Sequence, residues 1–467
     1  MHEMRSILVA LGVLGLALGA PRADARPAIS AVTELVEPAE PTSASYRDDP
    51  PLARSYLIPV LEIITLNLAA NLGSQAAGQP WADISLSTMK TNLTSPWVYD
   101  NDVFAVNQFA HPYGGASLFL AARSNGLGFW TSAAYTFGGS LLWETLMENE
   151  ASSINDQLTT SIGGAFLGEA LHRWSRAVLS SGERPSIGRR VLSAIIDPIG
   201  TANRVALRDS WRRVPPPQLH SHLAVGWNRA LDVAEQSPLH VELAVSHGLP
   251  SDERFVPRVP FDHFDLRVQL DASTDRLDGY VDLRGLILGR ASGKPRLRAL
   301  WGLYGTYDYW NPDHARAGAI GVGPGIAVHA AFGARGFAEA VGVATFVPFG
   351  AAGGAGDGEG PQRDYHHGPG LGQFVELKLG LRGLGLLRLN ARAIEIDGTL
   401  LGDATEAVIV TTAGVMVEVA PHHAIGADLV YSARSATFAD ATMKAFEQSS
   451  QLRVMYAITS GSLGGGD

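Results

Sequence analysis

The sequence contains no cysteine, few charged residues and no basic patch with interleaved aromatic residues. With no cysteine among 467 residues, disulfide bonds and thiolate metal sites are excluded. Charged residues make up only 18% of the chain, and its formal net charge is -10. No stretch combines basic residues with interleaved aromatic ones. This balance argues against nucleic acid as a partner, because surfaces that bind nucleic acid are strongly basic.

Glycine and apolar residues are abundant instead. The chain has 52 glycines, and 46% of its residues are hydrophobic. Much glycine and apolar content with little charge is typical of a β-rich membrane protein and not of a disordered chain. The length exceeds that of one ordinary domain, so two domains are expected.

Residues 1–25 have the pattern of a signal peptide. Arg5 supplies a basic flank, the run from Ile7 to Ala20 is apolar, and Ala23-Asp24-Ala25 is a small-x-small cleavage site. The alternative is a retained membrane anchor. Because no cysteine follows the signal, the chain is not expected to be a lipoprotein. Residues 26–54 are rich in Pro, Ala, Glu and Ser and are predicted to form a flexible leader.

Residues 55–204 are predicted to form a small helical domain. Apolar residues recur at helical spacing in Ser55–Leu72, in Phe129–Glu148 and from about Ser152 to Leu179. The last segment contains a Gly-x-x-x-Gly pair that starts at Gly164, a spacing that allows close helix packing. No apolar run reaches the roughly 20 residues that a helical membrane span needs. A compact helical unit at a membrane surface is therefore favoured.

Residues 205–217 are predicted to form a proline-rich linker. After it, apolar residues no longer recur at helical spacing but at every second position. In residues 218–467, segments such as "FVELKLGLR" (Phe374–Arg382) put apolar side chains on one face and charged ones on the other. About twelve such segments follow one another, an even number within the range of bacterial barrels. The predicted fold class is α+β and multi-domain: the helical domain, then an antiparallel transmembrane β-barrel of about 12 strands. A soluble β-sandwich is the alternative.

Loop lengths predict how the barrel is oriented, because periplasmic turns are short and outward loops are long. Pro348–Gly370 and Ser435–Gln448 are long and should face outward, whereas Gly333–Arg335 and Gly383 should be periplasmic turns. The long Gly248–Phe261 stretch does not fit, since a short turn is expected there. It indicates either missed strands or a seat for the helical domain.

Several sequence blocks in the helical region carry a resemblance. They are "DNDVFAVNQFAHPYGG", "AARSNG", "GSLLWETLMENEASSINDQLTT", "GGAFLGEALHRWS" and "DPIGTANR". Together they resemble an uncharacterised bacterial family, domain of unknown function 3943, over about residues 81–204. The resemblance implies a cell-envelope protein of unknown activity and supplies no catalytic residue. A fainter likeness is to small envelope helical hairpins in which a His, a Glu and an Asp take the places of His111, Glu144 and Asp156.

Those three residues are the candidate catalytic centre. His111 precedes one helix, Glu144 lies near the end of the next, and Asp156 begins the third. Antiparallel helices with short connections would bring them together, and a His with carboxylates suffices for general acid–base catalysis. Further candidates, as binding residues, are Asn107, Gln108, Arg123, Glu148, Glu169 and His172. Glu169 and His172 also match the Glu-x-x-His spacing of bundle metal sites, but in a single copy.

A structural interpretation of the same residues stays open. His111 would satisfy backbone groups at a helix entry, Asn107 and Gln108 would fix a loop, Glu144 would pair with Arg123, and Asp156 would cap a helix. The histidine pairs His366-His367 and His422-His423 are expected in solvated loops. The glycine-rich Phe349–Gln362 is expected to be a mobile loop and not a phosphate cradle, since it lacks the P-loop lysine.

The leading prediction is an outer-membrane β-barrel of a Gram-negative bacterium, with a periplasmic helical domain at its mouth and a structural or transport-related role. The rival is a membrane-bound enzyme acting on lipid or lipopolysaccharide through His111, Glu144 and Asp156. Outer-membrane lipid is the expected partner, and no metal or cofactor is expected. The sequence does not identify a small envelope ligand or an oligomeric state. A barrel of about twelve strands has little free lumen, so a wide open pore is not expected.

Overall fold

The computed structural model describes residues 55–100, 102–180, 185–206, 219–232, 236–252, 255–273, 277–294, 296–312, 314–354, 365–398, 404–438, 444–461 and 463. The predicted signal peptide (1–25), the leader (26–54) and most of the linker (205–217) lie outside these residues. The chain divides into two compact units, with the boundary at Pro215 and Pro216. The first is helical and the second consists of strands.

The helical unit is built from α-helices, a short 3₁₀ helix at Pro80–Ala82 and two π-helical turns. The α-helices are α1 Leu57–Ala76, α2 Leu86–Thr94, α3 His111–Ser124, α4 Phe129–Leu146, α5 Ile154–Leu158, α6 Gly164–Leu179, α7 Ile187–Ile196 and α8 Pro198–Ala206. The π turns, Val106–Ala110 and Thr159–Gly163, run directly into α3 and α6. Helix α2 falls in a stretch whose sequence is polar and turn-rich, and α7 falls in a basic stretch, so neither was predicted.

Local sequence explains where several helices begin and end. The Ser85 hydroxyl accepts the Thr88 N–H in a capping box that starts α2. The Ser153 hydroxyl accepts the Asp156 N–H and so starts α5. Gly126, with φ of 82°, separates α3 from α4, because glycine adopts this left-handed conformation without strain.

Two glycines let α3 and α6 cross closely. A Cβ atom added to Gly164 would lie 2.4 Å from the carbonyl carbon of Gly115, and one added to Gly115 would lie 1.9 Å from the Thr160 carbonyl oxygen. Only residues without a side chain permit this contact between backbones. The crossing holds the start of α3 beside the second π turn, and these are the elements that carry His111 and Thr160.

The second unit is a closed antiparallel barrel in which β1 pairs with β12. Its strands are β1 Leu219–Ala230, β2 Gln236–His247, β3 Phe264–Ala272, β4 Leu277–Lys294, β5 Leu297–Trp310, β6 Arg316–Phe332, β7 Gly336–Gly353, β8 Tyr365–Leu381, β9 Gly385–Asp397, β10 Ala404–Ala420, β11 His423–Phe438 and β12 Lys444–Thr459. The predicted fold class and the strand number are confirmed. Closure pairs every strand on both sides and leaves no sheet edge.

The two faces of the barrel wall differ in polarity. Along β8, Val375, Leu377 and Leu379 are each about half exposed on the outside, while Glu376 between them is buried inside. Successive side chains of a strand point to opposite faces, so the predicted alternation is an apolar outer wall around a polar interior. A soluble sandwich would bury its apolar face, and that alternative is therefore wrong.

Connections at the two barrel ends differ in length. Because the strands alternate in direction, the links β4–β5, β6–β7, β8–β9 and β10–β11 share one end, and each has only two or three residues. The opposite end carries the longer links, of which β7–β8 is the longest. The β2–β3 link is the one long connection at the short-turn end, as the sequence indicated, and no further strand occupies its described residues.

Two expectations about loops between β7 and β8 are wrong. His366 and His367 belong to β8 and are buried, because β7 and β8 extend farther than the alternating apolar pattern reaches. Phe349–Gly353 likewise continues β7, so only the later part of the expected mobile loop is a connection, and residues 355–364 lie outside the described chain. His422 is a turn residue with φ of 67°, whereas His423 starts β11.

Candidate functional site

His111 lies between a carboxyl group and a hydroxyl group. It is the first residue of α3, directly after the π turn Val106–Ala110. Its Nε2 is 3.5 Å from Asp156 Oδ1, and its Nδ1 is 3.2 Å from Thr160 Oγ1. Burial lowers the pKa of His111, and the nearby Asp100 charge opposes this only partly, so the imidazole is neutral at pH 7. A neutral imidazole with two polar partners can accept and pass on a proton.

Asp156 shares a proton with Asp100. Burial and the hydrogen bond to Asp100 raise the pKa of Asp156 well above its usual range. Burial acts to raise the pKa of Asp100 as well, but hydrogen bonds from Asp156, Asn107 and Asn155 lower it overall. The protonated Asp156 therefore donates to an ionised Asp100, as expected when two carboxyl groups share one buried site.

Glu144 and Glu148 form a second carboxyl pair. Glu144 is buried and its Oε2 accepts the Ser153 N–H at 2.8 Å. Burial raises the pKa of both glutamates, and the neighbouring Glu144 charge raises the pKa of Glu148 further. One proton is thus held between them at neutral pH. Because Ser153 also caps the helix of Asp156, it connects Glu144 to the His111 cluster.

Two asparagines position the acidic residues. The Asn107 side chain is buried and donates to Asp100 Oδ1 at 2.8 Å. Asn155 Nδ2 donates to Asp100 Oδ1 at 3.0 Å and to Asp156 Oδ1 at 3.1 Å. Gln108 is also buried. The amides of Asn107 and Asn155 hold the segment before α3 against the start of α5.

Arg123, Glu169 and His172 lie in a different cluster. Glu169 is fully buried and accepts from Arg123 Nε at 2.7 Å and from Arg173 Nε at 2.8 Å. The expected pairing of Arg123 with Glu144 is therefore wrong, because Glu169 on α6 lies opposite Arg123. His172 Nδ1 is 3.7 Å from Asp197 Oδ2. With both oxygens of Glu169 bound by arginines, Glu169 and His172 do not form a metal site.

The structure thus brings His111, Asp156 and Thr160 into direct contact and connects Glu144 through Ser153. Sequence reasoning missed Asp100, Asn155 and Thr160. Asp100 and Asn155 stand in the blocks "DNDVF" and "SSIND", whose dense small polar residues were the available signal. In the described part of the chain, no group of three or more His, Asp or Glu side chains is arranged to hold a metal ion. What the cluster can do chemically is transfer protons.

The barrel lumen holds a second concentration of charge. Arg267 of β3 reaches Glu376 of β8 at 3.5 Å, and Arg388 of β9 reaches Glu242 of β2 at 3.8 Å. In each pair the two strands are five positions apart in the ring of twelve, so these side chains meet across the lumen. Glu242 is fully buried, which shows that no wide channel passes beside it.

An apolar layer adds to this closure. Its inward-facing members come from β4 to β11 and include Tyr280, Trp310, Ile394, Val408 and Val430. Seven of the twelve strands contribute to this cluster, so it narrows the lumen. The expectation that a wide open pore is absent agrees with this packing.

The β2–β3 link folds into the lumen at the short-turn end. Phe255 packs on Leu300 and Ala327, which alternate with outward residues such as Trp301 and therefore face inward. The Arg298 guanidinium donates to the Phe255 carbonyl oxygen at 2.8 Å and also to the Asp252 carbonyl oxygen. We call the described residues of this link, 248–252 and 255–263, the inner segment.

A closed barrel with an apolar outer wall and a charged interior is the architecture with which strands span a membrane, because every backbone group is paired and the outside suits lipid. The chain is therefore an outer-membrane β-barrel protein that also carries a helical unit.

Residues 96–199 match the model of a family described as Domain of unknown function (DUF3943). The resemblance expected from the sequence is thereby confirmed. No curated protein matches the sequence.

Solved outer-membrane proteins are similar to about half of the chain. The NanC porin is 8% identical, with a TM-score of 0.27, over 51% of this chain and 98% of that one. OmpT, an outer membrane protein of Vibrio cholerae, is 6% identical, with a TM-score of 0.23, over 52% and 96%. The CymD monoaromatic hydrocarbon channel is 11% identical, with a TM-score of 0.23, over 52% and 88%. The closed barrel and its apolar outer wall define the protein as an outer-membrane barrel independently of these similarities.

Proposed function

We propose that this protein is a transport-related outer-membrane barrel that is closed at rest and opens to pass small polar solutes. The observation that carries the proposal is that ion pairs cross the lumen between opposite strands, among them Arg267–Glu376 and Arg388–Glu242. Buried ion pairs contribute little more stability than apolar side chains of similar size. If the interior served only to plug the barrel, apolar side chains could fill it equally well. The buried charges therefore favour a polar path through the barrel, which forms when the ion pairs separate.

Charge removal tests the proposal in proteoliposomes. In the Arg267→Gln/Arg388→Gln double variant the Arg267–Glu376 and Arg388–Glu242 pairs are lost while the Arg392–Asp282 pair stays, and we expect faster uptake of small charged solutes than in wild type. The matched control is Arg434→Gln, because Arg434 pairs at 2.7 Å with Glu406 on the neighbouring strand and not across the lumen. Equal, background uptake by all three proteins, each still a heat-resistant barrel, would count against a transport role.

We further propose that the short-turn end and the helical unit are periplasmic. The chain enters β1 and leaves β12 at the short-turn end, which is the periplasmic arrangement of bacterial barrels. An epitope inserted in the β7–β8 link, at residues 355–364, should be detected on intact cells. An epitope in the α7 region should be detected only after the outer membrane is permeabilised. The opposite pattern would invert the topology.

A second candidate function is an envelope-lipid enzyme centred on the helical unit. The observation that favours it is the His111 imidazole, held neutral between the Thr160 hydroxyl and the Asp156 carboxyl. This arrangement of hydroxyl, imidazole and carboxyl is the one used to activate a nucleophile. Its test is a change of envelope lipid composition in a His111 variant that still folds.

A further inference from the structure

Two helices of the helical unit, α1 and α4, each bury a polar face and expose an apolar one. On α1, Asn67 and Asn71 are buried, while Leu61 and Leu68 are largely exposed. The buried amides have partners: Asn67 donates to the Gly139 carbonyl at 2.9 Å and Asn71 to the Met147 carbonyl at 2.8 Å. In water the opposite arrangement is expected, because apolar residues are the ones that gain by burial.

Helix α4 repeats this inversion. Its fully or almost fully buried residues include Ser132, Thr136 and Ser140, whereas Trp130 and Phe137 are more than half exposed. The same inversion on two helices distinguishes it from scattered single exposed apolar residues, which need no explanation.

The exposed faces of α1 and α4 lie side by side and form one surface. Tyr135 of α4 donates its hydroxyl hydrogen to the Tyr56 carbonyl at the start of α1, and the Asn67 and Asn71 bonds join the two helices farther along. The apolar members of this surface are Leu57, Val60, Leu61, Ile64, Leu68, Leu72, Trp130, Phe137 and Leu141. We call it the α1–α4 face.

Charge is turned away from the α1–α4 face. Glu62, the one charged residue of α1, points inward and accepts from Asn125 at 3.0 Å and Asn203 at 3.2 Å. The exposed charged residues Lys90 and Glu150 belong to other segments. The face thus complements an uncharged partner, and a protein surface of ordinary composition would leave many of its own polar groups unpaired against it.

Helix α1 also has the dimensions of a lipid-facing element. By length and composition alone, α1 could cross a membrane, which differs from the expectation that no apolar run is long enough. It has 20 residues, and 28% of its most apolar stretch is buried. Twenty residues of helix extend about 30 Å. The chain between Ala206, the end of α8, and Leu219, the start of β1, reaches at most roughly 45 Å. The helical unit is therefore tethered close to the membrane that holds the barrel.

We infer that the α1–α4 face lies against the acyl chains of membrane lipid. Apolar side chains of α1 and α4 contact the hydrocarbon, and the polar cluster of His111 and Asp156 stays inside the unit. The Gly115–Gly164 crossing fits this environment, because small residues replace the hydrophobic effect as the basis of helix packing in lipid. The inference goes beyond the proposed function and does not depend on whether the lumen conducts.

Site-directed spin labelling of the full chain in phospholipid vesicles tests this inference. The chain has no native cysteine, so each variant carries a single label. We propose Leu61→Cys, Leu68→Cys and Phe137→Cys on the face, with Lys90→Cys and Glu150→Cys as controls on the same unit. Collision of the nitroxide with oxygen, which concentrates in lipid, is compared with collision with a water-soluble nickel chelate.

The three face positions should favour oxygen over the nickel chelate several-fold, and the two controls should favour the nickel chelate. Nickel access at Leu61 and Leu68 equal to that at the controls would place the face in water and overturn the inference. Exclusion of both reagents would indicate a protein partner or a second copy, and it would overturn the inference equally. Heat-resistant migration of each variant verifies that its barrel has folded.

Discussion

At the scale of single residues, His111 decides between a structural and a catalytic cluster. If the cluster is catalytic, His111→Ala should leave the helical unit folded and change envelope lipid composition. If it is structural, the same change should leave the Thr160 hydroxyl without its imidazole partner and destabilise the unit by about 1–3 kcal/mol. Protease resistance of the helical unit and lipid composition, measured on the same cells, distinguish the two.

The control for this substitution is Lys90→Ala, since Lys90 is exposed and surface changes alter stability by only about 0.5 kcal/mol. A stable His111 variant with unchanged lipids would argue against both interpretations. In that case the proton-sharing pair Asp100–Asp156, and not His111, would hold the cluster together.

Residue partners were harder to predict than residue positions. The sequence indicated that His111, Glu144 and Asp156 belong together, because helix order and short links constrain them. It did not indicate that Arg123 pairs with Glu169, since helical spacing does not determine which face of α6 lies opposite α3. His366 was misplaced because its neighbours on the inner face of β8 are glycines, which give no alternating apolar signal.

At the scale of elements, the α3–α6 crossing depends on glycine. Gly164→Ala should destabilise the helical unit by about 1–3 kcal/mol, because the new methyl group would overlap the Gly115 backbone. Gly114→Ala is the matched control: it lies on the same helix as Gly115, and a Cβ atom there meets nothing within 4 Å. It should be neutral or stabilising by up to about 1 kcal/mol. Thermal unfolding followed by helical circular dichroism measures both, and equal effects would contradict the close crossing.

Strands were predicted better than helices. A period of two with charge on one face identifies a half-buried strand by itself, so about twelve strands could be counted in the sequence, although a sandwich shows the same period. The π turns before α3 and α6 could not be predicted from the sequence. The extra residue in such a helical turn is fixed by tertiary contacts such as the Gly115–Gly164 crossing. Strand ends were also underestimated where inward residues are glycine, as in β7 and β8.

At the scale of the whole molecule, both units expose apolar side chains and bury charged and polar ones. In the barrel, pairs such as Arg267–Glu376 join opposite walls. In the helical unit, buried amides and carboxyl groups surround His111. The sequence predicted the barrel's polarity, because the strand period shows it directly. It did not predict that of the helical unit, because a helix with apolar residues on one side looks the same whether that side faces a core or lipid.

The central claim, a polar path closed by charges that meet across the lumen, is tested most directly by single-channel current recording in planar lipid bilayers. Wild type should be closed for most of the record, with brief openings. The Arg267→Gln/Arg388→Gln variant should be open for a much larger fraction of the time, and Arg434→Gln should behave like wild type. A folded, inserted double variant that never conducts, or a wild type that is continuously open, would contradict the account.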